Sequence, residues 1–273
     1  MTPTTGPSDP SHSPVEERFA DGNMTPVVRR GDRVHRARSA WWPATHALLR
    51  HLEEIDFEGS PRLLDMDGDG REVLSYIAGE SGSSTLEGID GDSALIAIAR
   101  LLRAYHDAVA SFVPDPSLAW PRAVGAPAGG PIICHNDAAP WNTIFWQGAP
   151  VALIDWDLAA PAPPTWDIAY ALWRFVPFYP DDRFGPPDER ARRAVLFCDA
   201  YGLVEREGIV ATILQRQRSA YDTVEEWGRA GLPGFVHLYE QGLHTSALHD
   251  IAYVELHAAS LRRTLERRSY CPA

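Results

Sequence analysis

Short runs of alternating apolar and polar residues fill the chain up to about residue 79. They predict one β-hairpin over residues 25–38, on either side of Gly31-Asp32, and another over residues 63–77, around a turn rich in Gly and Asp. Between the hairpins, a helix that begins at Pro43 has one apolar face of alanine and leucine side chains. Two hairpins around one helix form a small α+β unit.

Beyond residue 91 the apolar residues follow a helical period instead. The first helix is predicted to begin with Asp92 as its N-cap, and its apolar residues recur every three or four positions: Leu95, Ile98, Leu102, Tyr105, Val109 and Phe112. Further helices are predicted over residues 166–174, 189–201, 208–227 and 244–267. One β segment, residues 131–155, interrupts this pattern. The second part of the chain is therefore predicted to be mostly helical.

These patterns divide the chain into three regions. Residues 1–20 are rich in Ser, Thr and Pro and are expected to be a disordered tail. Residues 21–79 form a small N-terminal lobe, and residues 80–273 form a larger, mostly helical lobe. The Gly/Ser-rich run 81–85 near their junction is expected to act as a linker. The predicted fold class is α+β with two lobes.

Composition and charge narrow the class of protein. Of 273 residues, 45% are hydrophobic and 23% are charged, as in soluble globular proteins. A net charge of −12 argues against a nucleic acid or an anionic membrane as partner, because both favour a basic surface. The chain lacks an apolar run of about 20 residues, so no membrane span is predicted. Three widely spaced cysteines give no disulfide framework, and a cytoplasmic protein is expected.

The β segment carries the candidate chemistry. Its first strand leads into His135-Asn136-Asp137, and a hairpin follows in which Asn142 precedes the outgoing strand and Asp155 follows the returning one. Because antiparallel strands end side by side, Asn142 and Asp155 are predicted to lie about 5 Å apart between Cα atoms. An amide oxygen and a carboxylate at that distance suit Mg²⁺, and Asp137 can reach a substrate hydroxyl next to the metal ion.

A bare Asp-x4-Asn is common by chance and is compatible with an ordinary surface loop. The hairpin between the two predicted metal ligands argues against a chance match, because apolar strands lead into both of its ends. The segments ICHNDAAPWNTIF and ALIDWDLAAPAPPTWDIAYALW resemble the catalytic and metal-binding segments of the aminoglycoside phosphotransferase and choline kinase superfamily, which has the bilobal protein-kinase-like fold. The N-terminal lobe resembles that superfamily more weakly, through VVRRGDRVHR, ALLRHL and EVLSYIAGE.

The resemblance implies a kinase that uses Mg²⁺ and transfers the γ-phosphoryl group of ATP or GTP to a hydroxyl of a small molecule. It also implies that Asp137 acts as the base and that Asn142 and Asp155 hold Mg²⁺. Asp167, in the first turn of a helix, is expected to brace the catalytic loop. His135 is a further candidate catalytic residue, although shaping the loop through hydrogen bonds is favoured over proton transfer.

The predicted nucleotide site departs from the family pattern. The chain contains no lysine, so Arg36 on the second predicted strand is the candidate phosphate anchor; the alternative is a surface arginine on an edge strand. The glutamate that would pair with this anchor is missing, because Thr45 and His46 stand at its place. Backbone groups at the hinge are expected to bind the nucleotide base; the hinge residues are Ser75, Tyr76 and Ile77.

Several alternatives stay open at this stage. The missing Lys–Glu pair allows a pseudokinase, which would bind nucleotide or small molecules without turnover. Asp157 either contacts a metal or substrate or is a solvated loop carboxylate. The acidic composition, with carboxylates at Asp181, Asp182, Glu225 and Glu226, leans towards a cationic acceptor. A hydrolase with three metal-bound histidines is disfavoured, because the spacing of His244, His249 and His257 does not put them on one helix face.

Overall fold

The N-terminal lobe is built on a five-stranded antiparallel sheet. A computed structural model describes residues 16–19, 27–83 and 85–266 of the chain. The strands are β1 (Glu16–Phe19), β2 (Val27–Arg30), β3 (Arg33–Arg36), β4 (Leu63–Met66) and β5 (Glu72–Ser75), in the spatial order β1-β2-β3-β5-β4. Both predicted hairpins, β2–β3 and β4–β5, are confirmed. The strand β1 falls within the predicted disordered tail, whereas residues 1–15 and 20 lie outside the described residues.

One helix of this lobe, α1 (Trp42–Glu54), packs beside the sheet as predicted. Pro43 lies in its first turn, where the missing N–H costs nothing because that group has no helical partner. The apolar face is fully buried, with Leu48 and Leu52 at 0% exposure and Leu49 at 1%. The helix is therefore held by burial of its leucine face against β4 and the first helix of the other lobe.

The Gly/Ser-rich run at the junction is not a loose linker. Strand β6 (Glu80–Ser81) pairs with β8 (Thr143–Trp146) of the larger lobe, and Gly82 donates its N–H to the Thr143 carbonyl at 3.2 Å. Gly79 has φ 140°, and a Cβ added there would lie 2.4 Å from the Phe145 carbonyl oxygen. Glycine is required because the backbone of the junction runs directly against β8.

The larger lobe is mostly helical, as predicted. Its helices are α2 (Asp92–Val109), α3 (Pro164–Phe175), α4 (Pro187–Tyr201), α5 (Ile209–Arg229), α6 (Phe235–Glu240) and α7 (Ser246–Leu265). The predicted bounds agree within a few residues at both ends for α3, α4, α5 and α7. The short α6 was not predicted. Asp92 is the first residue of α2, and the N-cap is Gly91 instead. Gly202 ends α4 in a left-handed conformation, as expected of a C-cap glycine.

Two small sheets in this lobe carry the predicted β segment. Strand β7 (Ile132–Cys134) pairs with β10 (Ala160–Ala162), and β8 pairs with β9 (Ala149–Leu153). Buried aromatic side chains pack beneath them, including Tyr105 at 0% and Trp156 at 1% exposure. One hydrophobic core runs from α1 and β5 of the small lobe into the helices. Within the described residues, none of the helices combines the length and apolar character that crossing a bilayer requires.

Candidate active site

The central segment is a hairpin, as predicted, but its register differs from the prediction by one residue. Thr143 pairs with Leu153, and Ile154 donates its N–H to the carbonyl of Asn142 at 2.9 Å. Asn142 therefore lies opposite Ile154, and Asp155 lies one position further along. The backbone at Asp155 is left-handed, with φ 62° and ψ 71°, so the strand ends there and the chain turns.

The carboxylate of Asp137 is held from two sides. The Tyr170 hydroxyl donates to its Oδ1 at 2.6 Å, and the Asn142 side chain donates from Nδ2 to its Oδ2 at 2.7 Å. Burial, together with the nearby charge of Asp155, raises the pKa of Asp137 to about 6, while the hydrogen bond from Tyr170 opposes this rise. A carboxyl group with a pKa close to neutral is suited to take a proton from a hydroxyl.

Asp167 braces the loop that follows β7. Its two oxygens accept the N–H groups of His135 and Asn136, each at 2.7 Å, and Oδ2 also lies 3.1 Å from Nε2 of His106. Asp167 is completely buried in the first turn of α3. Burial opposes its ionisation, but the hydrogen bond and charge of His106 outweigh burial and lower the pKa of Asp167. The loop is thus held by an ionised carboxylate in the core.

This brace also contains a group of potential metal ligands. The ligand atoms of His106, Cys134 and Asp167 all lie within 4.8 Å of one another. Protein hydrogen bonds already involve both ring nitrogens of His106, one of them to the Tyr201 hydroxyl at 2.7 Å, and both oxygens of Asp167. We therefore assign the cluster to support of the loop and not to metal binding.

His135 is enclosed with both ring nitrogens engaged. Its Nδ1 accepts the N–H of Asp137 at 3.2 Å, so the proton belongs on Nε2, which lies 3.0 Å from the Ile154 carbonyl oxygen. The ring packs on Trp156 with 4.4 Å between ring centres, and burial lowers the pKa of His135. This neutral ring shapes the loop and offers no free nitrogen to a substrate.

Arg36 is the centre of a buried ion-pair cluster that joins the two lobes. Its guanidinium donates to Glu72, to Asp157 and, at 2.9 Å, to Oδ1 of Asp155. Arg36 lies on β3 in the middle of the sheet and is 8% exposed, so it is not a surface residue on an edge strand. Burial opposes its charge, but Asp157, Asp155 and Glu72 together hold the pKa of Arg36 well above its ordinary value.

Asp155 and Asp157 form the acidic part of a candidate cation site. Asp157 is largely buried against Arg36 and is therefore not a solvated loop carboxylate. Asn142 uses Nδ2 for its bonds to Asp137, which leaves its Oδ1 for a cation. Two carboxylates and one amide oxygen are hard oxygen ligands of the kind Mg²⁺ takes. The side chains present therefore fit a magnesium ion.

The hinge groups are partly used by the protein itself. Ser75 donates its N–H to the Arg62 carbonyl at 2.9 Å, and Tyr76 donates its N–H to the Asp32 carbonyl at 2.8 Å. Within the part of the chain that the structure describes, the Ile77 backbone has no such bond. Of the three hinge N–H groups, that of Ile77 is the one that the described part of the chain leaves available to a nucleotide base.

Comparisons with known proteins assign the family. The Phosphotransferase enzyme family matches residues 115–206, a range that includes the loop, the hairpin and α3. The trifolitoxin immunity protein of Rhizobium leguminosarum bv. trifolii is 35% identical over 195 residues, which cover 68% of this chain and 74% of that protein. The chain belongs to the phosphotransferase enzyme family.

Solved structures show that the chain shares the fold of this family's kinases. The GDP complex of aminoglycoside 2'-phosphotransferase-IIIa has a TM-score of 0.59 at 15% identity and covers 89% of this chain and 94% of its own. A choline/ethanolamine kinase family protein from Mesorhizobium loti has a TM-score of 0.58 at 17% identity, with 93% and 90% covered. Amicoumacin kinase hAmiN, in complex with AMP-PNP and Ca²⁺, has a TM-score of 0.60 at 12% identity, with 77% and 80% covered.

Within this phosphotransferase, Glu72 supplies the ion-pair partner that the sequence pattern lacked. One of its oxygens accepts from Arg36, and the other lies 2.7 Å from Nε2 of His46 on α1. Glu72 is 2% exposed; burial opposes its ionisation, but His46 and Arg36 lower its pKa. The strand β5 provides the carboxylate, and the helix provides the imidazole that supports it. Sequence reasoning missed Glu72 because β5 does not adjoin β3 in the sequence, only in the sheet.

Two other functional side chains of the phosphotransferase were also missed. Tyr170, which binds Asp137, lies three residues after Asp167, so a helical spacing from the predicted brace could have indicated it. His106 follows Tyr105 on the buried side of α2, where a histidine needs a polar partner. Its partner Asp167 is 61 residues away in the chain, and no local signal connects the two.

Proposed function

We propose that the protein transfers the γ-phosphoryl group of ATP or GTP to a hydroxyl of a small molecule. The observation that carries this proposal is the Asp137 carboxylate, which is oriented by Tyr170 and Asn142 beside the Asp155–Asp157 pair. Family membership supports phosphotransferase chemistry, and relatives in complex with GDP and with AMP-PNP support a nucleoside triphosphate as the donor.

In the proposed reaction, the oxygen of the acceptor hydroxyl attacks the γ-phosphorus in line, and Asp137 accepts the proton of that hydroxyl. The new P–O bond forms as the bond to the β-phosphate oxygen breaks, and the nucleoside diphosphate leaves with that electron pair. Asn142, Asp155 and Asp157 would hold Mg²⁺, which neutralises charge on the phosphates when bound. Arg36 would bind the phosphate oxygens, with Glu72 fixing the direction of its guanidinium.

The test measures nucleoside diphosphate release by purified protein with Mg²⁺ and ATP or GTP, over a panel of hydroxyl compounds. We expect Asp137→Asn to lower kcat by at least about a hundredfold, because the variant lacks the base. Asp155→Ala is expected to abolish turnover. Asp107→Asn is the matched control, since Asp107 is exposed on α2 and pairs with Arg103 away from the site. Full turnover by Asp137→Asn would refute the assignment of the base.

A nucleotide-binding module without turnover is the second candidate. One observation favours it: the Arg36 guanidinium binds both carboxylates that Mg²⁺ would require. The same panel separates the two candidates. A binding module would bind nucleotide but release no diphosphate with any acceptor in the panel. Its Asp155→Ala variant would bind nucleotide as well as the wild type does.

A further inference from the structure

Two arginines of the helical lobe lie beside the side chain that holds Asp137. The guanidinium carbons of Arg216 on α5 and Arg174 on α3 are 4.2 and 5.3 Å from the centre of the Tyr170 ring. The hydroxyl of that ring donates to Asp137 at 2.6 Å. Arg216 also donates to the backbone carbonyl of Asn136, next to the base. Two positive charges are therefore placed where an acceptor hydroxyl would meet Asp137.

Neither of these arginines has a carboxylate partner in the described part of the chain. Over residues 27–83 and 85–266, no Asp or Glu oxygen lies within the 4.0 Å ion-pair distance of either guanidinium. Other arginines nearby are paired: Arg218, on the same helix as Arg216, binds Glu255. Arg174 instead packs on aromatic rings, 3.5 Å from the Trp173 ring centre and 5.3 Å from that of Trp141.

The two arginines are also incompletely hydrogen-bonded. The Nε atoms of Arg174 and Arg216 are buried and have no hydrogen-bond partner among the described residues, and Arg216 is only 6% exposed. A buried guanidinium without a counterion is costly. Asp137 and Asp250 are near enough for Arg174 to lower their pKa, and Asp137 and Asp167 partly offset the effect of burial on the pKa of Arg216. All of these carboxylates lie beyond ion-pair distance of the two guanidinium groups. N–H donors without a protein partner and a positive charge without a carboxylate in direct contact are what a site for an anion provides.

Two of the four carboxylates that favoured a cationic acceptor, Asp181 and Glu225, are engaged with basic side chains elsewhere. Asp181 binds Arg183 at 2.6 Å, and Glu225 lies 2.9 Å from Nε2 of His244 and also binds Arg229. The net charge of −12 therefore does not describe the surroundings of Asp137, where two arginines have no carboxylate partner among the described residues.

We propose that the acceptor carries a carboxylate or a phosphate beside its hydroxyl, and that Arg174 and Arg216 bind this anionic group. The inference rests on the proposed phosphotransferase function and names its acceptor class, a hydroxy acid or a hydroxyalkyl phosphate. The guanidinium groups, one from α3 and one from α5, bind the anion through paired N–H donors. The aromatic rings packed on the guanidinium groups fix their positions. The hydroxyl on the same molecule then reaches Asp137.

The test is a calorimetric titration with D-glycerate and glycerol 3-phosphate as anionic probes and with glycerol and ethanolamine as the neutral and cationic ones. It is run with and without Mg²⁺·AMP-PNP, so that it reports on the arginines whether or not nucleotide binds. At least one anionic probe is expected to bind about tenfold or more tightly than glycerol. The Arg174→Gln variant is expected to lose this difference in affinity. Tighter binding of D-glycerate would indicate a carboxylate on the acceptor, and tighter binding of glycerol 3-phosphate would indicate a phosphate.

Arg218→Gln is the matched control, because Arg218 lies on α5 and is exposed and paired with Glu255. Arg174 carries the main test, since Arg216 is deeply buried and its variants require a check of folding by circular dichroism. Equal binding of all four probes, or unchanged anion affinity in a folded Arg174→Gln protein, overturns the proposal. Failure of the proposed function would give a different result. Anions would bind through Arg174, but the turnover assay would detect no release of nucleoside diphosphate.

Discussion

Among single residues, Glu72 connects the candidate phosphate anchor to the N-terminal helix, because it binds both Arg36 and His46. Glutamine at this position keeps the size of the side chain and removes its charge. We expect Glu72→Gln to raise the nucleotide KM by about tenfold, since Arg36 then turns fully towards Asp155 and Asp157. We also expect the free energy of unfolding to fall by about 1–3 kcal/mol, because a buried cation loses a partner.

Steady-state kinetics and urea unfolding test this prediction for Glu72. Glu53→Gln is a suitable control, because Glu53 is exposed on α1 and its replacement changes the net charge by the same amount. If Glu72→Gln had the nucleotide KM of the wild type, Glu72 would not be the residue that orients Arg36 towards the phosphates.

Asp250 is a second residue with a measurable electrostatic consequence. Burial raises its pKa to about 6, while the hydrogen bond from Trp173 and the charges of Arg174 and His249 oppose the rise. An unfolded aspartate has a pKa of about 3.9, so the native state loses stability relative to the unfolded chain as pH rises from about 4 to about 6. Asp250→Asn should therefore be about 2–3 kcal/mol more stable than the wild type at pH 8.

The same Asp250→Asn variant should match the wild type in stability at about pH 3, where the Asp250 carboxyl is mostly protonated in both the folded and the unfolded state. Chemical unfolding at the two pH values measures the difference. A stability gain that is independent of pH would mean that packing, and not the buried charge, distinguishes the variant.

At the level of elements, one face of α3 organises the proposed acceptor side of the site. Asp167, Tyr170 and Arg174 follow one another at steps of three and four, which places them along one side of the helix. The first braces the loop, the second holds Asp137, and the third contributes a positive charge. A shift of α3 would therefore disturb the proposed base, Asp137, and the proposed anion site together.

The junction between the lobes gives a prediction of its own. Gly79 has φ 140°, and an alanine Cβ there would meet the Phe145 carbonyl oxygen at 2.4 Å. We expect Gly79→Ala to lower the free energy of unfolding by about 2 kcal/mol or more, because the backbone must shift away from β8. Gly129→Ala is the control, since a Cβ at that position meets nothing within 4 Å. Equal stability of the two variants in thermal unfolding would show that the junction is looser than described.

At the scale of the whole molecule, a shared core couples the two lobes. Leu48 and Leu52 of α1 belong to the same hydrophobic cluster as Leu102 and Trp156 of the larger lobe. We expect a single unfolding transition, and we expect Leu48→Ala to lower its free energy by about 2–5 kcal/mol, because Leu48 is completely buried. Far-UV circular dichroism and tryptophan fluorescence should move together. Separate transitions from the two probes would indicate lobes that unfold independently.

Local sequence patterns predicted much of this architecture. The alternation around Gly31-Asp32, the leucine face of α1 and the three-and-four spacing in α2 each act over a few neighbouring residues, so the elements could be predicted from their own residues. The hairpin that separates Asn142 from Asp155 was predicted in the same way. Its register was missed by one residue, because the turn is only Gln147-Gly148, with Trp146 opposite Ala149, and the bulge at Ile144 and Phe145 compensates for this tight turn only in part.

The sequence by itself determined which residue types are present for chemistry: a loop aspartate, an asparagine and aspartate around a hairpin, and arginine as the only strong cation. Only the tertiary structure decided the partners. Glu72 meets Arg36 across the sheet, His106 meets Asp167 from another helix, and two arginines converge on Tyr170. Except for Arg174, which lies four residues from Tyr170 on α3, these partners are far apart in the chain. The energies of their contacts depend on burial and distance, which exist only after the lobes have packed.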